Sequence, residues 1–260
     1  MIHKLADVHS NASIGSDTTI EAFTSIAEDV IIGNNCWIGP NTTILNGARI
    51  GNNCRIYPGA VISGEPQDLK FEGEHSTATI GNNTTIRECV TINRGTKLDR
   101  GDTKVGEGCT IMAYTHIAHD CIIDKHVILA NGVQMAGHVQ IGEYAFVGGT
   151  AAIHQFVKIG RHAMVSGGSL VRKDVPPFVT AARDPLSYSG INSVGLRRRG
   201  YSIEKIREIQ DIYRIFYVSG LNNQQAMDKI KFEAGPTEER DLIIRFIENS
   251  SRGMMKGPIN

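Results

Sequence analysis

The segment YTHIAHDC, Tyr114 to Cys121, places His116 and His119 three residues apart and follows the second with Asp120. Further histidines stand at positions 138 and 154, each in a short apolar context. An imidazole takes or gives a proton near neutral pH, and a neighbouring carboxylate can orient its ring, so a general base is one reading. Histidines and carboxylates also bind zinc, and single histidines often do no chemistry at all. Local spacing leaves all three open, because the scaffold decides where these side chains stand.

That scaffold is a repeat. Aliphatic residues stand six apart without a gap from Val8, Ile14 and Ile20 to Ile62, and again from Val105, Ile111 and Ile117 to Val171. Ile80, Ile86 and Ile92 bridge the two runs. A period of six fits neither a helix nor a lone strand. Small residues such as Thr18, Cys36, Ala48 and Cys54 precede the aliphatics by two positions, and Gly15, Gly33 and Gly39 follow them directly. The pattern predicts short flat strands, each with one inward aliphatic side chain and a tight corner after it. Three strands close a triangular coil of eighteen residues, and stacked coils bury one continuous aliphatic column. With strands about 4.8 Å apart, nine or ten coils make a prism roughly 45 Å long. The period says nothing of the coil's hand.

It breaks twice. Between Glu65 and Thr79 the inward positions would fall on Asp68 and Glu74, which a dry aliphatic column cannot accept, so a loop over 65–79 is expected. A one-residue slip between Ile92 and Val105 marks a second loop over 93–104. Loops on a regular scaffold commonly carry binding chemistry. After Tyr188 helical spacing takes over: Ile206, Ile209, Tyr213, Phe216 and Tyr217 follow a Ser202 cap, a weaker helix spans Gln224 to Ala234, and Thr237 opens a third. The expected organisation is a solenoid over 1–187 and a helical domain over 188–260.

Composition excludes more than it assigns. Formal net charge is zero, so nothing global points to nucleic acid. No run of eighteen apolar residues occurs, and MIHKLADVHS lacks the apolar stretch of a signal peptide, so a cytoplasmic protein with no integral membrane segment is expected. Four of the five cysteines, Cys36, Cys54, Cys109 and Cys121, occupy the small position before an inward aliphatic and read as buried hydrophobes, while Cys89 falls just off it.

Eighteen residues per coil turns spacing into geometry. His119, Gly137 and Gln155 stack in one column; Asp120, His138 and Phe156 form the next; Ala118, Ala136 and His154 form the one before. His119, His138 and His154 are expected to point outward from one corner, about 5 to 10 Å apart. Such a gathering favours acid–base chemistry, with zinc binding as the alternative. Gly137, one coil above His119, can offer a bare N–H to an oxyanion. A solenoid wall is convex, so a ligand needs a second surface, and a cleft between packed prisms supplies one.

The motifs QDLK, VTINRGT, HIAHDC, MAGHV, AIHQF, DVPPF and GLRRRG, in this order, resemble the UDP-N-acetylglucosamine acyltransferase family over nearly the whole chain. The resemblance implies a mainly β fold, a left-handed parallel β-helix of hexapeptide repeats with a small C-terminal α-helical domain. It implies transfer of a (3R)-3-hydroxyacyl group from acyl carrier protein to the 3-hydroxyl of UDP-N-acetylglucosamine, the first step of lipid A synthesis, by a cytoplasmic homotrimer without cofactor or metal. It makes His119 the general base, Asp120 its acidic neighbour and Gly137 the oxyanion donor. Asp68, Lys70, His116, His138, His154, Gln155, Asn192 and Arg198 become substrate-binding positions, and Gly167 the residue that limits acyl-chain length. Carrier protein is acidic, so Arg197, Arg198 and Arg199, with Arg172 and Lys173, are expected docking charges.

Two positions depart from the pattern: Val194 stands where some members have glutamate, and Pro185 where some have histidine. Alternatives within the acyltransferase class are an N-acyltransferase, which carries an additional N-terminal domain, and a coenzyme-A-dependent enzyme. A zinc-dependent hydratase on the same scaffold lies outside that class.

Overall fold

Strands of two to five residues follow one another along the chain, and up to Val171 each pairs in parallel with the third strand before or after it. Asp7–Val8 lies beside Ser25–Ile26, and His116–Ile117 lies between Thr91–Asn93 and Gln134–Met135. The computed structural model, which describes residues 1–258, thus has three sheets of nine, eight and ten strands wrapped around one axis. The six-residue aliphatics fill that axis: Ile38, Ile44, Ile56, Ile62, Ile86, Ile111, Ile117, Leu129 and Val147 have no exposed surface. Burying such a side chain stabilises by about 1.5–3 kcal/mol relative to leaving it in water, which is why the period is kept. Val8 and Ile14 are only half-buried, in the first turn of the prism.

The corners obey a rule that the period did not show. Three positions after most inward aliphatics the backbone has positive φ, as at Asn35, Asn53, Asn83, Asp120, His126, His138, Tyr144 and His162. Left-handed backbone costs an L-residue energy, and Asn, Asp and His tolerate it better than most. Polar and aromatic side chains therefore collect at the corners. Cys89 is one of these corner residues, with φ 56°, and is exposed, whereas the other four cysteines are buried.

Two segments leave the prism. The first runs over 65–76, between strands Val61–Gly64 and Thr77–Ile80; the second runs over 94–101, between Thr91–Asn93 and Asp102–Val105. Both are shorter than the spacing suggested, because the strands resume before the aliphatic pattern does.

The tail begins with a hairpin. Strand Val179–Ala182 extends one sheet and Ser187–Ile191 returns antiparallel to it, across the expected boundary at 187/188. Helices α1 (Ser193–Arg198), α2 (Ile203–Val218), α3 (Asn223–Glu233) and α4 (Glu238–Glu248) follow. Ser202, Asn222 and Thr237 cap the last three by accepting from Lys205, Gln225 and Arg240 N–H groups. Helix α1 was not legible in the sequence. Buried Tyr213 of α2 donates its hydroxyl proton to the Pro177 carbonyl at 2.7 Å, which fastens the helices to the prism. Among the described residues no helix is long and apolar enough to cross a membrane.

Candidate active site

His119 and Asp120 occupy the corner after strand His116–Ile117. His119 Nδ1 is 2.9 Å from Asp120 Oδ2. The same carboxylate accepts the Thr96 N–H at 3.0 Å and the Thr96 hydroxyl at 2.7 Å, while the Asp120 N–H donates to Thr103 Oγ1. Burial pushes the Asp120 pKa up, but the hydrogen bonds from His119 and Thr96 and the charge of His138 outweigh it, leaving the pKa below its ordinary value. An ionised Asp120 accepts a hydrogen bond from the Nδ1–H, which leaves His119 Nε2 as an acceptor.

That nitrogen lies against Gly137. A Cβ at 137 would stand 2.7 Å from both Nε2 and Cε1 of His119, so only glycine lets the ring lie there.

His119, expected to point outward from the corner, does so, yet it is not open to solvent. His119 is 7% exposed and Asp120 is fully buried. They do leave the aliphatic column, but the 94–101 loop folds over the corner. Thr96 binds the carboxylate, and Arg100 Nη2 donates to the Asp120 carbonyl at 2.9 Å.

His138 stands edge-on to His119, with ring centroids 5.1 Å apart at 89°, and stacks on Phe156 at 4.5 Å. Its Nδ1 is 2.9 Å from Asp99 Oδ2. His116 Nδ1 meets the Thr91 hydroxyl at 2.7 Å; burial first, and then the charge of His119, push the His116 pKa below its ordinary value.

A cleft of about 600 Å³ opens beside this corner, lined by Asp68, Lys70, His116, His119, Gly137 and Gln155 among others. Asp68 and Lys70 reach it because the first loop is tied to the second. Asn93 Nδ2 donates to the Glu65 carbonyl at 2.7 Å, the Arg94 guanidinium lies 5.1 Å from the Phe71 ring centroid, and Lys97 pairs with Glu72.

Other expected site residues lie apart from this cleft. His154 Nδ1 faces Arg252 at 3.2 Å. Asn192 caps α1 and donates to the His162 carbonyl at 2.9 Å. Arg197 bonds back to Ser193, and the Arg199 guanidinium lies 4.9 Å from the centroid of the Tyr144 ring. Arg198 is exposed, and among the described residues its side chain makes no hydrogen bond or ion pair. Gly167 is exposed beside Gly149, and Lys173 donates to the Arg252 carbonyl. Arg172 lines a separate cavity of about 220 Å³ with Leu170, Leu186 and Met255.

Thr91, Thr96, Asp99, Arg100 and Thr103 were missed in the sequence. The slip in register flagged the loop that carries Thr96, Asp99 and Arg100, but nothing in the spacing says which of its side chains turn inward or that Thr91 and Thr103, on the flanking strands, meet the site.

Ligand-type atoms of His119, Asp120 and His138 lie within 4.8 Å of one another, close enough to hold a metal ion. Their donors are already committed: Asp120 accepts from three groups, and both Nδ1 atoms face carboxylates. What remains open is an imidazole Nε2 facing a glycine backbone.

The family model for Udp N-acetylglucosamine O-acyltransferase, Domain 2, matches residues 174–255, and that for the bacterial transferase hexapeptide (six repeats) matches 29–64 and 102–137. A curated relative from Burkholderia lata, acyl-[acyl-carrier-protein]–UDP-N-acetylglucosamine O-acyltransferase, is 44% identical over 201 residues, 76% of this chain and 77% of the relative. This chain belongs to the UDP-N-acetylglucosamine O-acyltransferase family. A solved acyltransferase from Bacteroides fragilis is 46% identical, covers 98% of this chain and 100% of its own, and superposes with a TM-score of 0.97. The Francisella novicida UDP-N-acetylglucosamine acyltransferase is 39% identical, with 99% and 95% covered and a TM-score of 0.96. The acyltransferase chain described here is a left-handed parallel β-helix, as the resemblance implied.

Proposed function

We propose that this chain transfers a (3R)-3-hydroxyacyl group from acyl carrier protein to the 3-hydroxyl of UDP-N-acetylglucosamine, the first step of lipid A biosynthesis. The names of its relatives supply acyl carrier protein and UDP-N-acetylglucosamine as substrates. The observation that carries the mechanism is the 2.9 Å His119–Asp120 pair opening onto a cleft beside Gly137. His119 Nε2 takes the proton of the 3-hydroxyl, and the sugar oxygen attacks the thioester carbonyl. The Gly137 N–H, which donates no hydrogen bond among the described residues, stabilises the oxyanion. The tetrahedral intermediate collapses to the ester, and the departing thiolate takes the proton from the His119 imidazolium. Asp120 orients the ring and stabilises that cation.

Asp68, Lys70, His116 and Gln155 face the same cleft and bind the sugar nucleotide or donor in this reading. The cleft lies on the outside of the prism, where a neighbouring subunit would close it; in this reading the working form is the homotrimer that the family resemblance implies, with sites between subunits, acting in the cytoplasm. His138, His154, Asn192 and Arg198 then meet substrate across that interface, and the helical part from 188 onward docks the carrier protein.

The test is an assay of purified protein with UDP-N-acetylglucosamine and a panel of 3-hydroxyacyl-acyl carrier protein thioesters. Ester formation at the 3-position is expected. Transfer to an amine instead, or from coenzyme A thioesters alone, defeats the proposal.

A further inference from the structure

Asp120 has a counterpart. Asp99, on the exposed 94–101 loop, places Oδ2 2.9 Å from His138 Nδ1, the distance at which Asp120 holds His119. The two imidazoles meet edge to face at 5.1 Å. His138 is itself gripped on three sides. Phe156 stacks on one face at 4.5 Å, Asp99 holds Nδ1, and the corner backbone fixes its root at φ 61°. Arg100, 3.7 Å from Asp99, also bonds to the Asp120 carbonyl, so one dipeptide is attached to both histidine–carboxylate pairs.

We propose that Asp99 is a positioning residue, holding the His138 ring as the wall that sets the plane of His119. The inference rests on the reading of His119 as general base. Without a hydrogen bond at Nδ1, the His138 ring can turn about its terminal torsion, which is broad for aromatic rings. His119 then loses the ring that packs against it beside Gly137 and helps keep Nε2 aimed into the cleft. Asp99 need not touch substrate for this. Its effect falls on the chemical step rather than on affinity, because misaimed bases lose rate steeply with small displacements.

The experiment compares Asp99→Ala with Lys97→Ala in the full-length protein. Lys97 lies two residues away, is exposed and pairs with Glu72, so its loss reports on loop order alone. Asp99→Ala should lower kcat about tenfold and change KM for the acceptor sugar less than twofold. Lys97→Ala should leave kcat within twofold of the parent, by the weakness of exposed ion pairs. Histidine-selective ¹⁵N NMR, assigned by single His→Gln variants, reads ring tautomers without reference to activity. In Asp99→Ala the signals of both His138 and His119 should move.

Ring signals of His119 that match the parent overturn the proposal. An equal loss of kcat in Lys97→Ala also overturns it. Shifted His119 signals with an unchanged kcat would support the positioning role and count instead against the general-base reading.

Discussion

The carboxylate of Asp120 lies 2.9 Å from Nδ1 of His119 and has no exposed surface of its own. Its remaining hydrogen bonds come from Thr96, on a loop that departs from the prism one coil earlier. The base and the loop that covers it are therefore one structural unit.

Removing the imidazole should abolish most turnover and little else. His119→Ala is expected to lower kcat by about 10² to 10⁴, as loss of a general base does. Circular dichroism and the thermal midpoint should stay near the parent, since His119 lies outside the aliphatic column. A folded variant with near-normal kcat would remove His119 from the mechanism.

Asp120 plays two parts, and its replacement should show both. Asp120→Ala should reduce kcat less than His119→Ala does. It should also destabilise, because the buried Thr96 N–H and hydroxyl lose their acceptor, at about 1–3 kcal/mol for each group left unsatisfied. The sign with pH follows from the depressed folded pKa. Stabilisation is complete above the unfolded carboxylate value near 3.8 and is lost as pH falls through the lower folded value. Urea midpoints measured between pH 2 and 7 should show a larger acid-side loss in the parent than in the variant.

His162 offers a second, separable acid response. It stacks between Tyr144 and Phe178 at a corner and is 2% exposed. Burial first, then the charges of Arg161 and Arg199, push its pKa down to about 4 from 6.5. The unfolded chain binds a proton first, so stability is lost as pH falls from 6.5 to about 4 and levels off below. The loss should be roughly 2–4 kcal/mol. His162→Phe places an uncharged ring at a corner type that Phe156 and Phe178 already occupy with φ 67°. In that variant the fall in this pH window should disappear; an unchanged slope would assign it to another group.

The arginine triplet divides. Arg199 is engaged by Tyr144 and Gly195, and Arg197 by its own helix, which leaves Arg198 the least committed. Arg198→Ala should raise KM for acyl carrier protein thioesters severalfold, an effect that salt screens. Arg199→Ala should act on stability instead, by about 0.5–1 kcal/mol for the lost cation–π contact. Equal donor KM changes in the two variants would contradict this division.

Chain length tests Gly167. A Cβ there would meet the Gly149 carbonyl at 3.1 Å, a tight contact that a small backbone shift relieves, and φ at 167 is not in the left-handed range. Gly167→Met should therefore fold and project a flexible apolar side chain from the prism. If the acyl chain passes this point, each methylene denied burial costs about 0.8 kcal/mol, and excluding four shifts specificity constants toward medium-chain donors by about a hundredfold. A ratio that does not move would leave Gly167 a corner residue.

The period of six carried the prism, the buried cysteines and the column that brings Gly137 over His119. All three follow from one constraint, that every eighteenth residue lies one coil higher. Helices α2 to α4 were legible from cap residues and helical spacing for the same reason: local rules suffice where one element repeats or caps itself. Helix α1 escaped because it has six residues and one buried side chain, Leu196.

The two loops could be located only by the failure of the repeat, and their contents could not be read. Whether Thr96 or Lys97 turns inward depends on what the loop meets when it folds back, and that partner, Asp120, lies 24 residues further on. The same holds for Asp99 and His138, 39 residues apart. The sequence by itself determined where the histidines stand, because periodic burial is a local, repeated energy. Only the tertiary structure decided which are covered, oriented and joined to a carboxylate, because those contacts are single, long-range and made by segments without a period.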